Sequence, residues 1–119
     1  MRGAAHFGPD ARLSSGRNFQ RVFTDGRKSV GRQLILWHVP ASHENSTARI
    51  GLSVPGKVGG AILRNRLKRL VREAFRLNRP RLAPGDYVAY LRQGCRWSGL
   101  PEAETDFLDL CRKAGTLRP

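Results

Sequence analysis

Residues 64–69 read RNRLKR: four cations, one amide and a single apolar residue, Leu67. Guanidinium and ammonium groups at this density have one chemistry, the holding of anions, and arginine suits bidentate contacts to phosphate. The stretch lies inside AILRNRLKRLVREAFRLN, whose spacing predicts a helix from about Ala61 to Asn78. At about 100° per residue, Leu63, Leu67, Leu70, Ala74 and Leu77 form an apolar stripe. Arg64, Asn65, Lys68, Arg69, Arg72 and Arg76 fall on the opposite side, with Arg66 on the flank. Arg64 and Lys68, Lys68 and Arg72, and Arg72 and Arg76 are like-charged neighbours one turn apart, and such pairs repel by a few tenths of a kcal/mol each. Only Glu73 offers a local counter-charge. A polyanion relieves that repulsion and releases counterions on binding.

A second group is aromatic. Phe19 and Phe23 are four apart, so they share a helix face with Val22 beside them. Trp37 follows in a strand-like run. Such rings either fill a core or line a groove where unpaired bases stack. The residue types alone leave both readings open.

Other chemistries are poorly supplied. Gly51, Gly56 and Lys57 fit the start of a phosphate-binding loop, but Val58 stands where a Ser or Thr must hold magnesium. Pro55 also lacks a backbone donor. His6, His38 and His43 are scattered through the chain and form no recognisable catalytic set with acids. Asp10, Asp25, Glu44, Glu73 and Asp86 are scattered, whereas a metal-dependent nuclease clusters its carboxylates. Cys95 and Cys111 match neither a zinc spacing nor a disulfide framework, which predicts free thiols in a cytoplasmic protein. No catalytic or metal-binding residue is expected in the chain itself.

Charge sets the partner class. The 119 residues hold 22 Lys and Arg against 9 Asp and Glu, for a net +13. Residues 99–119 are close to neutral, with Glu102, Glu104, Asp106 and Asp109 facing Arg112, Lys113 and Arg118. The excess therefore lies ahead of residue 99, and the C-terminal segment is expected off the binding face. An excess of this size points to a polyanionic partner, nucleic acid or, less often, an acidic membrane surface. No apolar run approaches the roughly 20 residues of a membrane span, and the N-terminus lacks a signal-peptide core.

The elements that must position these groups can be read along the chain. Residues 1–11 are expected as a flexible tail. SSGRNFQRVFTDG predicts a short helix capped by Ser14 or Ser15 and ended by Gly26. A short strand is expected at Lys28–Val30. QLILWHVP predicts a strand with Ile35, Trp37 and Val39 on one face and Leu34, Leu36 and His38 on the other. ASHENS is a polar loop. TARIGLSV alternates, with Ala48, Ile50, Leu52 and Val54 buried and Arg49, Gly51 and Ser53 on an open face. PGKVGG leads into the basic helix, and RPRLAPG breaks it. DYVAYLR is a strand and QGCRWSG a loop. The last helix, about Pro101 to Ala114, has acids at its start, Arg112 and Lys113 at its end and Gly115 beyond. Leu100, Phe107, Cys111 and Ala114 are its expected core face.

NFQRVFTDG, RQLILWHV, RIGLSV, KVGGAILRNRLKRLVREAF and GDYVAYLR, in this order, resemble the protein subunit of bacterial ribonuclease P over about residues 12–114. The Arg-Asn-Arg block on a basic helix, with the Phe-x-x-x-Phe helix before it, carries the resemblance. It implies a single α/β (α+β) two-layer sandwich at 12–115, with residues 116–119 as a tail. The implied order is αβββαβα with a left-handed βαβ crossover, as in the second domain of ribosomal protein S5. It implies a chain that binds a catalytic ribonuclease P RNA and the 5′ leader of precursor tRNA, with no membrane and no small-molecule substrate. Mg2+ is implied as the cofactor, bound mainly by the RNA. Phe19, Phe23 and Trp37 correspond to the leader cleft. Lys57, Arg64, Asn65, Arg66, Lys68, Arg69, Arg72 and Arg76 correspond to the RNA-subunit face. Gly56 and Gly60 depart from the family's usual basic residue and Asn. A plain RNA-binding protein of the ribosomal or assembly type is the alternative.

Overall fold

The computed structural model describes residues 11–13, 16–41 and 47–118. The expected caps Ser14 and Ser15, the 1–10 part of the tail and residues 42–46 lie outside the described residues. The order is α1 (Gly16–Asp25), β1 (Arg27–Val30), β2 (Leu34–Pro40), β3 (Ala48–Ser53), α2 (Ala61–Asn78), β4 (Gly85–Leu91) and α3 (Leu100–Ala114). This is the expected αβββαβα order.

The four strands form one sheet in the order β1-β2-β4-β3. β1 with β2 and β2 with β4 are antiparallel, while β3 and β4 are parallel neighbours joined through α2. Strand period two gives the sheet two unlike faces. Leu34, Leu36, Ala48, Ile50, Tyr87, Ala89 and Leu91 join the main core with Leu67, Val71, Ala74 and Phe75 of α2 and Phe107, Leu110 and Cys111 of α3. On the other face Val88 is buried with Leu13 and Val22, and Phe19, Phe23, Trp37 and Val39 pack around them. α1 lies on this second face, against β2 and β4.

Register divides that second face into rows. Val39, Asp86 and Arg49 are aligned, then Trp37, Val88 and Gly51, then Ile35, Tyr90 and Ser53. The expectation of an open face on β3 fails at Gly51, which is buried. A Cβ there would lie 2.7 Å from Phe19 Cε1 and 2.8 Å from the Leu13 carbonyl oxygen. The ring of Phe19 occupies the space that the missing side chain leaves.

α3 is closed as its sequence predicts. Ser98 donates from its backbone N–H and its hydroxyl to Glu102 at the helix start, at 2.5 and 2.9 Å. Gly115 adopts φ 75° beyond the last turn, where a left-handed residue without Cβ ends the helix. Its buried face is Ala103, Phe107, Leu110, Cys111 and Ala114, with Leu100 only half-buried. The ordered chain also extends past residue 115. Leu117 bridges Leu82, Ala83 N–H donates to the Thr116 carbonyl at 2.8 Å, and Arg118 N–H donates to the Arg81 carbonyl at 2.8 Å. Residues 116–118 are therefore packed onto the fold, where a tail was expected. Ala11, also expected in a tail, is fully buried in the main core.

Candidate nucleic-acid interface

α2 spans Ala61–Asn78 as the spacing predicts, but its core side is rotated. The buried residues are Leu67, Val71, Ala74, Phe75 and Asn78. Leu63 and Leu70 are only half-buried and Leu77 is 45% exposed. The inward direction is thus turned by about 60° from the predicted stripe, at about 100° per residue. Asn78 is buried without penalty because its amide donates to the Ala74 carbonyl and to Glu104, at 2.8 and 2.7 Å.

The rotation re-sorts the cations. Asn65, Arg66, Arg69 and Arg72 are exposed, and Arg64 and Lys68 become half-buried flank residues. Arg66, expected beside the stripe, stands on the outer side instead. Its guanidinium donates to the carbonyls of Trp97 and Ser98 at 2.8 and 2.6 Å. Arg66 therefore staples the loop after β4 to α2. Arg64 turns back and donates from Nε to the Gly59 carbonyl at 3.0 Å. Arg76 is ion-paired with Glu73, its Nε donating to Oε1 at 3.0 Å. The Arg76 hydrogen bond, more than its charge, holds the Glu73 carboxyl below the ordinary range. Arg76 thus offers less free charge to a ligand than its position on the helix implied. The like-charged pairing extends beyond α2. Burial first, and then the charge of Arg12, lower the pKa of Arg72. Arg12, which pairs with Ile50 at the β3 edge, is a basic neighbour the helix pattern could not reveal.

Lys57 is exposed in a 3-10 turn, Gly56–Val58, ahead of α2. Gly56 and Gly60 are exposed, and a Cβ at either would meet nothing within 4 Å. Neither glycine is demanded by packing. Gly60 is the N-cap of α2 and supplies no side-chain hydrogen bond there.

The aromatic residues form a series on the other sheet face. Phe19 and Phe23 are 6.4 Å apart between ring centroids, Phe23 and Trp37 4.8 Å, and Trp37 and Tyr90 6.5 Å. All three contacts are edge-to-face, the geometry that ring quadrupoles favour. Phe19, Phe23, Trp37 and Tyr90 are all half-buried. Phe19, Phe23 and Trp37 each pack against the small cluster around Val22 and Val88 and keep part of their surface exposed, so they are neither fully core nor fully open. Lys28 Nζ lies 5.6 Å from the Trp37 ring centroid, placing a cation beside the series. Tyr90 and Lys28 were not singled out from the sequence. Strand alternation was the available signal, because Tyr90 is two residues from Val88 and Lys28 pairs with Trp37.

One charged node underlies the series. Asp86 is 5% exposed and accepts hydrogen bonds from Arg49 Nε at 2.8 Å and Nη2 at 2.9 Å. Arg21 of α1 pairs with the same carboxylate. In sequence Asp86 was one scattered acid among five.

A sequence model of the Ribonuclease P family matches residues 7–115. The ribonuclease P protein component of an Exiguobacterium strain is 44% identical over 82 residues, covering 69% of this chain and 70% of that one. That of Geobacillus kaustophilus is 35% identical over 108 residues, 90% of this chain and 88% of its own. Among solved structures, the Staphylococcus aureus RNase P protein superposes with a TM-score of 0.82 at 25% identity, over 91% of this chain and 98% of that one. The Thermotoga maritima protein, solved with 1-(4-fluorophenyl)-2-thiourea, gives 0.77 at 28% identity over 86% and 98%. The family model spans every element from α1 to α3, and the chain belongs to the ribonuclease P protein family.

Proposed function

We propose that the chain acts as the protein subunit of a bacterial ribonuclease P, binding the catalytic RNA along α2 and the 5′ leader of precursor tRNA along the ring series. The observation that carries this reading is the separation of the two surfaces. α2 lies against one face of the sheet and the rings lie on the other. A chain built this way can hold two RNA strands at once.

On this reading Asn65, Arg69 and Arg72 contact the folded RNA, with Lys57 and Lys68 at its margins. Arg66 contributes by fixing the loop at residues 97–98 and presents the remainder of its guanidinium outward. Phe19, Phe23, Trp37 and Tyr90 take unpaired leader bases, at about 1–3 kcal/mol per stacked base. The reaction is hydrolysis of one phosphodiester, leaving a 5′-phosphate on the mature tRNA. Mg2+ belongs to the RNA in this scheme. Among the described residues no three His, Cys, Asp or Glu side chains converge to hold an ion.

Reconstitution tests the proposal. The protein, a bacterial ribonuclease P RNA and a precursor tRNA are mixed at low Mg2+, and leader removal is timed. Stimulation by the protein is expected. Its absence would leave a plain RNA-binding role as the better reading.

A further inference from the structure

The structure assigns Asp86 a positioning role: with Arg21 and Arg49 it forms a charged latch that fixes α1 on the sheet and so sets the alignment of the ring series. The inference rests on the leader-binding reading only for its functional consequence.

α1 has ten residues, no acid in its first turn and no base in its last. A helix this short is marginal without tertiary contacts. Its C-terminal end is fixed by the turn into β1, where the Gly26 N–H donates to the Val22 carbonyl at 2.8 Å. Val22 is its one buried side chain, and Phe19 sits over Gly51. These apolar contacts lie close to one line along the helix, so they resist lifting better than rotation about the helix axis. Arg21 adds an off-line contact. It points to Asp86, one row along the sheet from Trp37 and Val88.

Asp86 is the buried acid among the described residues of a strongly basic chain. A lone buried carboxylate is costly, and pairing with two guanidiniums compensates it. Arg49 holds it bidentately from β3, a geometry that fixes direction as well as distance. Arg21 pairs with Oδ2, the oxygen that also accepts from Arg49 Nη2, so its approach is aimed and the latch has a defined angle. Rotation of α1 would carry Phe19 and Phe23 off the edge-to-face path to Trp37.

Two measurements test the latch separately from the leader reading. The first is acrylamide quenching of the free protein. Trp97 is 2% exposed while Trp37 is half-buried, so the quenchable signal is that of Trp37. Arg21→Gln is expected to raise the quenching constant about twofold, with Arg21→Lys restoring most of it. Unchanged quenching in Arg21→Gln would overturn the latch whatever the leader does. The second uses the reconstituted holoenzyme and compares Kd for precursor tRNA bearing a ten-nucleotide leader with Kd for leaderless tRNA. Arg21→Gln and Asp86→Asn should each shrink the wild-type ratio about tenfold while leaving RNA-subunit affinity within about twofold. Equal loss for both tRNAs would mark the node as merely structural and overturn the positioning role. A wild-type ratio of one, with quenching raised in the variant, would refute leader binding and leave the latch standing.

Discussion

Gly51→Ala is the sharpest single perturbation of the second sheet face. On an open strand face this change is stabilising, by about 0.5–1 kcal/mol, because glycine loses more backbone freedom on folding than alanine. Under Phe19 the sign reverses. Carbon atoms in contact prefer about 3.5–4.0 Å, and the added Cβ would be 2.7 Å from Phe19 Cε1. The ring must retreat by close to 1 Å, and the Leu13 carbonyl, 2.8 Å from the same point, is backbone and yields less. Overpacking of this kind costs about 1–3 kcal/mol. Urea dependences for small proteins run at about 1–3 kcal/mol per molar, so the midpoint should fall by roughly 1 M.

The assay is a double-mutant cycle in urea with Phe19→Leu. Removing the ring leaves only the Leu13 contact, so Gly51→Ala should cost less in that background, with a coupling of at least about 0.5 kcal/mol. Additive effects within about 0.3 kcal/mol, the level expected of independent sites, would refute the seating of Phe19 on Gly51. A stabilised single variant would refute it more directly. In the holoenzyme, Gly51→Ala should weaken leader-bearing substrate more than leaderless tRNA.

Four further outcomes follow from particular residues. Arg69→Ala should weaken RNA binding and flatten its dependence on log salt by about 0.7–0.9 units, the value for one lost phosphate contact; an unchanged slope would remove Arg69 from the interface. Gly56→Arg should do the reverse, because a side chain there meets open space and the slope should steepen by a similar amount. Burial lowers the pKa of His38, outweighing the Pro84 carbonyl, 3.2 Å from Nε2, and the charge of Asp86, both of which raise it. Neutral His38 is favoured in the fold, so stability is complete above the unfolded value of about 6.5 and falls as pH drops through it; urea midpoints at pH 7.5 and 5.5 should differ less in His38→Gln. Burial also pushes the Cys95 thiol up to about 11 and the Cys111 thiol up to about 12, so iodoacetamide at pH 8 should label both only at the rate of unfolding, and fast labelling of native protein would contradict their burial.

Much of the architecture was legible because local signals agreed with one another. Gly115, the acids at the start of α3 and its terminal bases marked one helix, and strand alternation separated the two faces of β2, of which Leu34, Leu36 and His38 make the buried one. The contacts that build the ring series were not legible, because they join residues far apart in sequence. Gly51 looked like part of an exposed face, since a glycine does not announce what covers it. Asp86 looked isolated because its partners, Arg21 and Arg49, come from α1 and β3. Ala11 and residues 116–118 looked like tails because the short pairings there, Arg12 beside Ala11 with Ile50, Leu117 with Leu82 and Thr116 with Ala83, carry no periodicity.

The rotation of α2 shows what kind of error charge patterning allows. The predicted stripe weighted Leu63, Leu70 and Leu77 equally with Leu67, since all are leucine at helical spacing. Burial instead follows what the helix packs against. Val71 and Phe75 face the sheet and α3, where Phe75 meets Tyr87 and Phe107 at centroid distances of 6.1 and 6.3 Å. A turn of about 60° leaves the count of cations unchanged but alters their roles. Arg66 moves outward and is drawn to the carbonyls at 97 and 98, while Arg64 moves to the flank and closes on Gly59. Two arginines of one short block thus brace the protein from either side of Asn65, and the outward ridge of Asn65, Arg69 and Arg72 is held in place by them. Outward-facing charge and bracing of the fold are divided among residues of the same type, and only their hydrogen-bond partners tell which does which.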